Sequence, residues 1–205
     1  MSKDLYNSKI DNKEEMEFIN NTIKLDKELN ELDKFVIKFI KVLEKHSDYV
    51  IISGYVSILL GRSRATEDID IFIEELDKEV FIKLYKELKK ANFWCLNTED
   101  EKEIYDYLKN NLGVRFAKSK ETIPNMEVKF ALKKSQKESF KDRIKVIIGK
   151  EDLKISSLER QIAFKKYCLK SDKDMEDARH LEKLFKDKLS YDKIRKYKKL
   201  IENET

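Results

Sequence analysis

The run Asp68-Ile69-Asp70-Ile71-Phe72-Ile73 alternates isoleucine with other residue types at a strict period of two. Strand side chains point to opposite faces in turn, whereas a helix would scatter these isoleucines around its circumference. The run therefore predicts a strand with its isoleucines packed behind and Asp68 and Asp70 together on the other face. Just upstream, the apolar run Tyr49 to Ile52 is long enough for a buried strand. Ser53-Gly54 breaks it, because glycine permits a tight turn and close backbone approach by a ligand. Val56 to Leu60 then reads as a short helix that stops at Gly61. The chain from 49 to 74 is thus a strand, a glycine turn, a short helix and an acid-bearing strand.

Two carboxylates on one strand face repel each other and require either solvent or a cation between them. Oxygen ligands suit Mg²⁺, which commonly takes one or two protein carboxylates and completes its shell with water and phosphate oxygens. The turn and the helix N-terminus supply backbone N–H groups for a phosphate. Gly54 to Asp70 spans only seventeen residues. A phosphate cradle, basic residues and paired acids at that spacing describe a metal-dependent phosphoryl- or nucleotidyl-transfer site. The plainer alternative is a solvated edge strand of alternating polarity, with Arg64 on the surface and Thr66 hydrogen-bonded at the start of the strand.

Gly54, the short helix, Arg64-x-Thr66 and Asp68-x-Asp70 resemble the signature of the polymerase-β-like nucleotidyltransferase superfamily. The R-x-T-x-D-x-D form is most similar to its AbiEii-like branch, nucleotidyltransferase toxins of two-gene toxin–antitoxin pairs. Ser53-Gly54-Tyr55 stands where that signature usually opens on Gly-Gly or Gly-Ser. The resemblance implies a third carboxylate on a neighbouring strand. Met126, Val128 and Phe130 alternate with Glu127 and Lys129, so Glu127 takes that place on a polar face. Lys129 beside it either faces the same phosphate or covers the sheet.

The string SLERQIAFKKYCLKSDKDMEDARHL also resembles that branch, through Glu159, Lys165 and Lys173-Asp174-Met175-Glu176-Asp177. By resemblance, Asp68, Asp70 and Glu127 hold Mg²⁺ or Mn²⁺, and Ser53, Gly54, Arg64, Thr66, Lys165 and Asp174 attend the NTP. Lys165 is expected to contact nucleotide phosphates. The implied reaction moves an NMP from an NTP to a hydroxyl acceptor, either an RNA such as a tRNA end or a protein. A cognate antitoxin would be the partner. The alternative is a non-catalytic relative that binds nucleotide or RNA as a sensor or scaffold. The resemblance covers residues 49 to about 181.

The rest of the chain predicts an α/β fold: a small mixed, twisted sheet flanked by helices, with a C-terminal helical bundle. Residues 1–150 would form the nucleotidyltransferase-like domain and 151–205 a helical segment packed on it. Residues 1 to about 12 read as a polar tail. Leu32, Phe35, Val36, Phe39, Ile40 and Leu43 recur at helical spacing, as do Val80, Phe81, Leu84 and Leu88. A third helix is expected over about 99–110, strands over 114–117, 126–130 and 143–148, and a capping box at Ser156-x-x-Glu159 opening the helical part. Ser190 would cap a last basic helix, read as a solvated face or, less favourably, a nucleic-acid patch. A net charge of +4 allows acidic partners without demanding them. Cys95 and Cys168 lack metal-ligand spacing and read as reduced, buried thiols. With no signal-peptide pattern and no long apolar run, the expected location is the cytoplasm.

Overall fold

Asn20 and Asn21 take left-handed backbone, with φ of 48° and 60°. They turn the strand Met16–Ile19 (β1) back into Thr22–Leu25 (β2) as a two-residue hairpin. The computed structural model describes residues 16–203, and the polar tail expected over residues 1–12 lies outside them. The order continues with Glu31–Leu43 (α1), Tyr49–Ile51 (β3), Gly54–Leu59 (α2), Asp68–Ile73 (β4), Lys78–Lys90 (α3), Phe93–Cys95 (β5) and Glu101–Lys109 (α4). Val114–Lys118 (β6), Asn125–Phe130 (β7), Lys134–Glu138 (α5), Ile144–Ile148 (β8), Glu151–Ile155 (β9) and Leu158–Phe164 (α6) follow. A π-helical turn, Lys165–Leu169, then leads to Asp172–Leu184 (α7) and Tyr191–Glu202 (α8).

The strands form one mixed sheet in the order β1-β2-β8-β9-β3-β4-β7-β6-β5. This corrects the expectation of a small sheet, since nine strands are hydrogen-bonded side by side among the described residues. The hairpin and β9 escaped the sequence reading because they are short and interleaved with lysines and acids, so their alternation is weak. Strand β9 also takes residues 151–155, the start of the segment expected to be helical. Helix α6 begins only after Ser157, whose side chain makes no capping hydrogen bond. The capping box is absent: Glu159 Oε1 instead accepts from Ser190 N at 3.0 Å.

Helices α1 and α3 cover one sheet face. Val36, Phe39, Leu43, Phe81, Leu84 and Leu88 share a core with Ile69, Ile71, Met126 and Val128. Asp33 and Asn30 do form a reciprocal capping box at the start of α1. The other face of β4, carrying Asp68, Asp70 and Phe72, is bordered by α5, α6 and α8. Cys95 is buried and Cys168 only half-buried, and both are free. Among the described residues, no helix is long and apolar enough to cross a membrane.

Candidate active site

Strand β4 runs parallel to β7 in a register that sets Asp70 opposite Glu127 and Asp68 opposite Asn125. Directly opposed residues on neighbouring strands share a face, so three carboxylates converge on one surface of the sheet. Asn125 Nδ2 donates to Asp68 Oδ1 at 2.8 Å, and Thr66 Oγ1 donates to the Asp68 carbonyl at 3.0 Å. Burial, followed by the nearby Glu127 charge, pushes the Asp70 carboxyl above its ordinary range, while Lys129 and the Ser53 hydroxyl pull the other way. For Glu127, burial is outweighed by Lys129 and Arg115, which hold its carboxyl below the usual range. Arg115 meets Glu127 Oε2 at 3.0 Å. Gly113 makes room for this cluster, since a Cβ there would stand 2.7 Å from Glu127 Oε1 and 2.8 Å from Lys129 Cε.

Among the described residues, no three His, Cys, Asp or Glu side chains stand ready as a metal cluster. Glu127 is turned onto Arg115 and Lys129. Asp68 and Asp70 nevertheless form an oxygen-only donor pair, and the like-charge strain on Asp70 is what a divalent cation relieves. The donor set fits such an ion on these two acids.

The turn before α2 is held in an unusual conformation. Ser53 has φ +62° and ψ −135°, a backbone state that side chains rarely adopt and that needs the surrounding fold to hold it. Tyr55, the bulky departure from the usual signature, points into the core and is fully buried. Its hydroxyl donates to Asp33 Oδ1 at 2.8 Å, and Lys27 meets the other oxygen of that buried carboxylate at 2.8 Å. Tyr55 therefore leaves the turn itself clear. Gly54 lies against the Arg64 guanidinium, which any Cβ there would strike.

Arg64 is gripped from the C-terminal helices. Its Nε and Nη2 donate to Asp177 Oδ1 and Oδ2 at 3.2 and 3.0 Å. Lys165, fully buried at the start of the π-helical turn, donates to Asp177 Oδ2 at 2.8 Å and to Asp174 Oδ1 at 3.2 Å. Arg62 adds ion pairs to Glu176 and Asp177. The family resemblance places Lys165 and Asp174 beside the nucleotide. In the structure their charges are spent on each other, on Asp177 and, through it, on Arg64. Asp177, Asn125 and Gly113 were not among the predicted site residues. The spacing Lys173-Asp174-x-x-Asp177 carried the signal for Asp177, because i and i+3 share a helix face.

A cavity of about 180 Å³ opens at Ser53, whose side chain bonds Asp70, and at Phe72 on the same strand face as Asp70; the three carboxylates themselves do not line it. Gln136, Gln161, Phe164 and Ile201 close it from α5, α6 and α8. The Ser156 hydroxyl lines it, fully buried and with no hydrogen-bond partner among the described residues. An apolar cavity with a few convergent polar groups next to charged residues is the usual form of a small-molecule site.

No protein-family description matches the sequence, and no curated protein matches it. Solved structures do. One is the crystal structure of an antigenic nucleotidyltransferase-like protein from Paracoccidioides brasiliensis. It is 20% identical, with a TM-score of 0.50, over 74% of this chain and 74% of that one. The likeness is one of fold: this mixed α/β architecture is shared with a nucleotidyltransferase-like protein.

Proposed function

We propose that the protein is a metal-dependent nucleotidyltransferase that moves an NMP from an NTP to a hydroxyl acceptor. The observation that carries this reading is the parallel β4–β7 register, which gathers Asp68, Asp70 and Glu127 on one face next to the Ser53-Gly54 turn. The acceptor oxygen forms a bond to the α-phosphorus, the bond from that phosphorus to the pyrophosphate oxygen breaks, and the hydroxyl proton is released. A Mg²⁺ or Mn²⁺ ion bound by Asp68 and Asp70 would supply charge neutralisation for the phosphates. The cavity at Phe72 and Phe164 holds the base and sugar of the NTP. Arg64 and the backbone around Gly54 face its phosphates, and Arg115 and Lys129 keep Glu127 ionised near the acceptor hydroxyl. Lys165 and Asp174 act through Asp177, setting the angle of the Arg64 guanidinium.

The R-x-T-x-D-x-D string favours an AbiEii-like toxin with a cognate antitoxin as the biological setting. A second reading, a non-catalytic nucleotide or RNA binder, is favoured by one observation: Glu127 is fully engaged by two cations. Incubation with each α-labelled NTP, Mg²⁺ or Mn²⁺ and total cellular RNA separates them. Label transferred by the wild type and lost in an Asp68→Ala, Asp70→Ala variant that still folds supports the enzyme. Nucleotide binding without transfer under any of these conditions supports the binder.

A further inference from the structure

Two-ion sites for phosphoryl transfer hold their metals about 3.5–4 Å apart, clamping the attacking and leaving oxygens. Asp68 and Asp70 provide for one ion, and a second would need Glu127, the third carboxylate on this face. The backbone delivers two cations along with Glu127. Arg115 stands directly opposite it on β6, and Lys129 follows two residues later on β7. Alternation along the strands puts all of these side chains on the Asp70 face, whichever rotamer each adopts. Lys129 Nζ meets Glu127 Oε1, and Arg115 Nε and Nη2 meet Oε2 at 3.0 Å. The stem of Lys129 is seated as well as its head. A Cβ at Gly113 would stand 2.8 Å from Lys129 Cε and 2.7 Å from Glu127 Oε1. Gly113 is not in left-handed backbone, so its own conformation does not call for glycine. The space left by its missing side chain is filled by this pair. Asp68 and Asp70 are different. They accept from neutral donors, Asn125 Nδ2 and the Ser53 hydroxyl, and have no ion-pair partner among the described residues.

We propose that the site takes one divalent ion, on Asp68 and Asp70, and that the Lys129 ammonium stands where a second ion would bind. The inference rests on the transferase reading above and fixes the number of its ions. A lysine ammonium is a compact point charge, so it neutralises a carboxylate much as a bound ion does. A second dication at Glu127 would stand beside that ammonium and be repelled by it. Unlike a metal ion, the ammonium is tethered to the strand and is present in every copy of the chain. Positive charge beside the acceptor hydroxyl is then supplied by the protein itself, through Lys129 and Arg115.

The test counts Mn²⁺ bound by the full chain, alone and with one equivalent of each α,β-methylene nucleoside triphosphate, which blocks transfer. Bound ion is read from loss of the free Mn²⁺ EPR signal, and a close pair from its spin–spin coupling. The wild type should hold one ion per chain at saturation and show no coupled pair. Lys129→Met should admit a second, coupled ion, and Lys129→Arg should remain at one. Glu127→Gln should keep its one ion. Two coupled ions in the wild type, or no ion under either condition, would overturn the inference. So would a folded Lys129→Met chain that still holds one ion, or loss of the ion from a folded Glu127→Gln chain. The wild-type count decides by itself if the variants do not fold. One ion with no transfer from any NTP would leave the one-ion count standing and remove the transferase reading. Transfer by a wild type that holds two ions would do the reverse.

Discussion

Arg64 and Asp177 meet in a two-point ion pair, Nε to Oδ1 at 3.2 Å and Nη2 to Oδ2 at 3.0 Å, from positions 113 residues apart. The pair ties the loop before the acid-bearing strand to helix α7, and Lys165 completes it from the buried side. A planar guanidinium held at two points has a fixed orientation, which a lysine in its place would lack. Through this pair the C-terminal helices determine where a positive charge stands beside the Ser53-Gly54 turn.

Asp177→Asn should unfold more easily by about 3–5 kcal/mol, the scale expected when one partner of a buried ion pair is removed and Lys165 loses its closest anion. Burial raises the Asp177 carboxyl, but Lys165 and Arg64 lower it further than burial raises it. A depressed native pKa gives stability that is present above the unfolded value of about 3.8 and lost as pH falls through the native one. Urea titrations at pH 7 and pH 3 should therefore show the penalty of the substitution shrinking in acid. An equal penalty at both values would refute the assignment.

Asp70 should behave in the opposite sense. Its carboxyl is raised by burial and by Glu127, so the folded state resists ionising it. Stability is withheld above the native pKa and regained as pH falls below it. Asp70→Asn should melt higher than wild type at pH 7, with the gain vanishing below about pH 4. Glu127→Gln should bring the Asp70 titration, followed by carboxyl ¹³C shifts, back toward the ordinary value. A Glu127→Gln variant with an unmoved Asp70 titration would show that the two charges do not interact.

Tyr55→Phe removes one donor from the fully buried Asp33 carboxylate. Leaving a buried acceptor short of a partner costs about 1–3 kcal/mol. Thermal or chemical denaturation should register that loss while nucleotide affinity stays near wild type, because the Tyr55 side chain faces the core, away from the Ser53-Gly54 turn. A selective loss of nucleotide binding would place Tyr55 in the site instead.

Gly113→Ala should separate chemistry from folding. The added methyl displaces only the ends of Glu127 and Lys129, which are flexible, so stability should stay within about 1 kcal/mol of wild type. Under the proposed mechanism, transfer should fall about tenfold or more as Glu127 is pushed off its position, a displacement of the scale that impairs alignment. Undiminished transfer would remove Glu127 from the acceptor side.

The chain itself determined the segment from 49 to 74. Its strand, turn, short helix and strand are local, each marked by a periodicity or a glycine within a few residues, and the structure places β3, α2 and β4 there. The shared face of Asp68 and Asp70 follows from the same period of two. Helices α1 and α3 were legible for the same reason, because their apolar stripes are uninterrupted. What no local pattern encodes is which strand lies beside which. The β4–β7 register that sets Glu127 against Asp70 is fixed by burial of Ile69, Ile71, Met126 and Val128 on the opposite face, a slip of one residue turning every side chain over. Strands β1, β2 and β9 gain their identity from neighbours in the sheet, and short polar segments show too little alternation to reveal it. By local pattern Lys165 is one lysine among many, and only the family resemblance singles it out. Only the packing of α6, the π-helical turn and α7 took it out of solvent, and a buried ammonium must then find carboxylates, here Asp174 and Asp177.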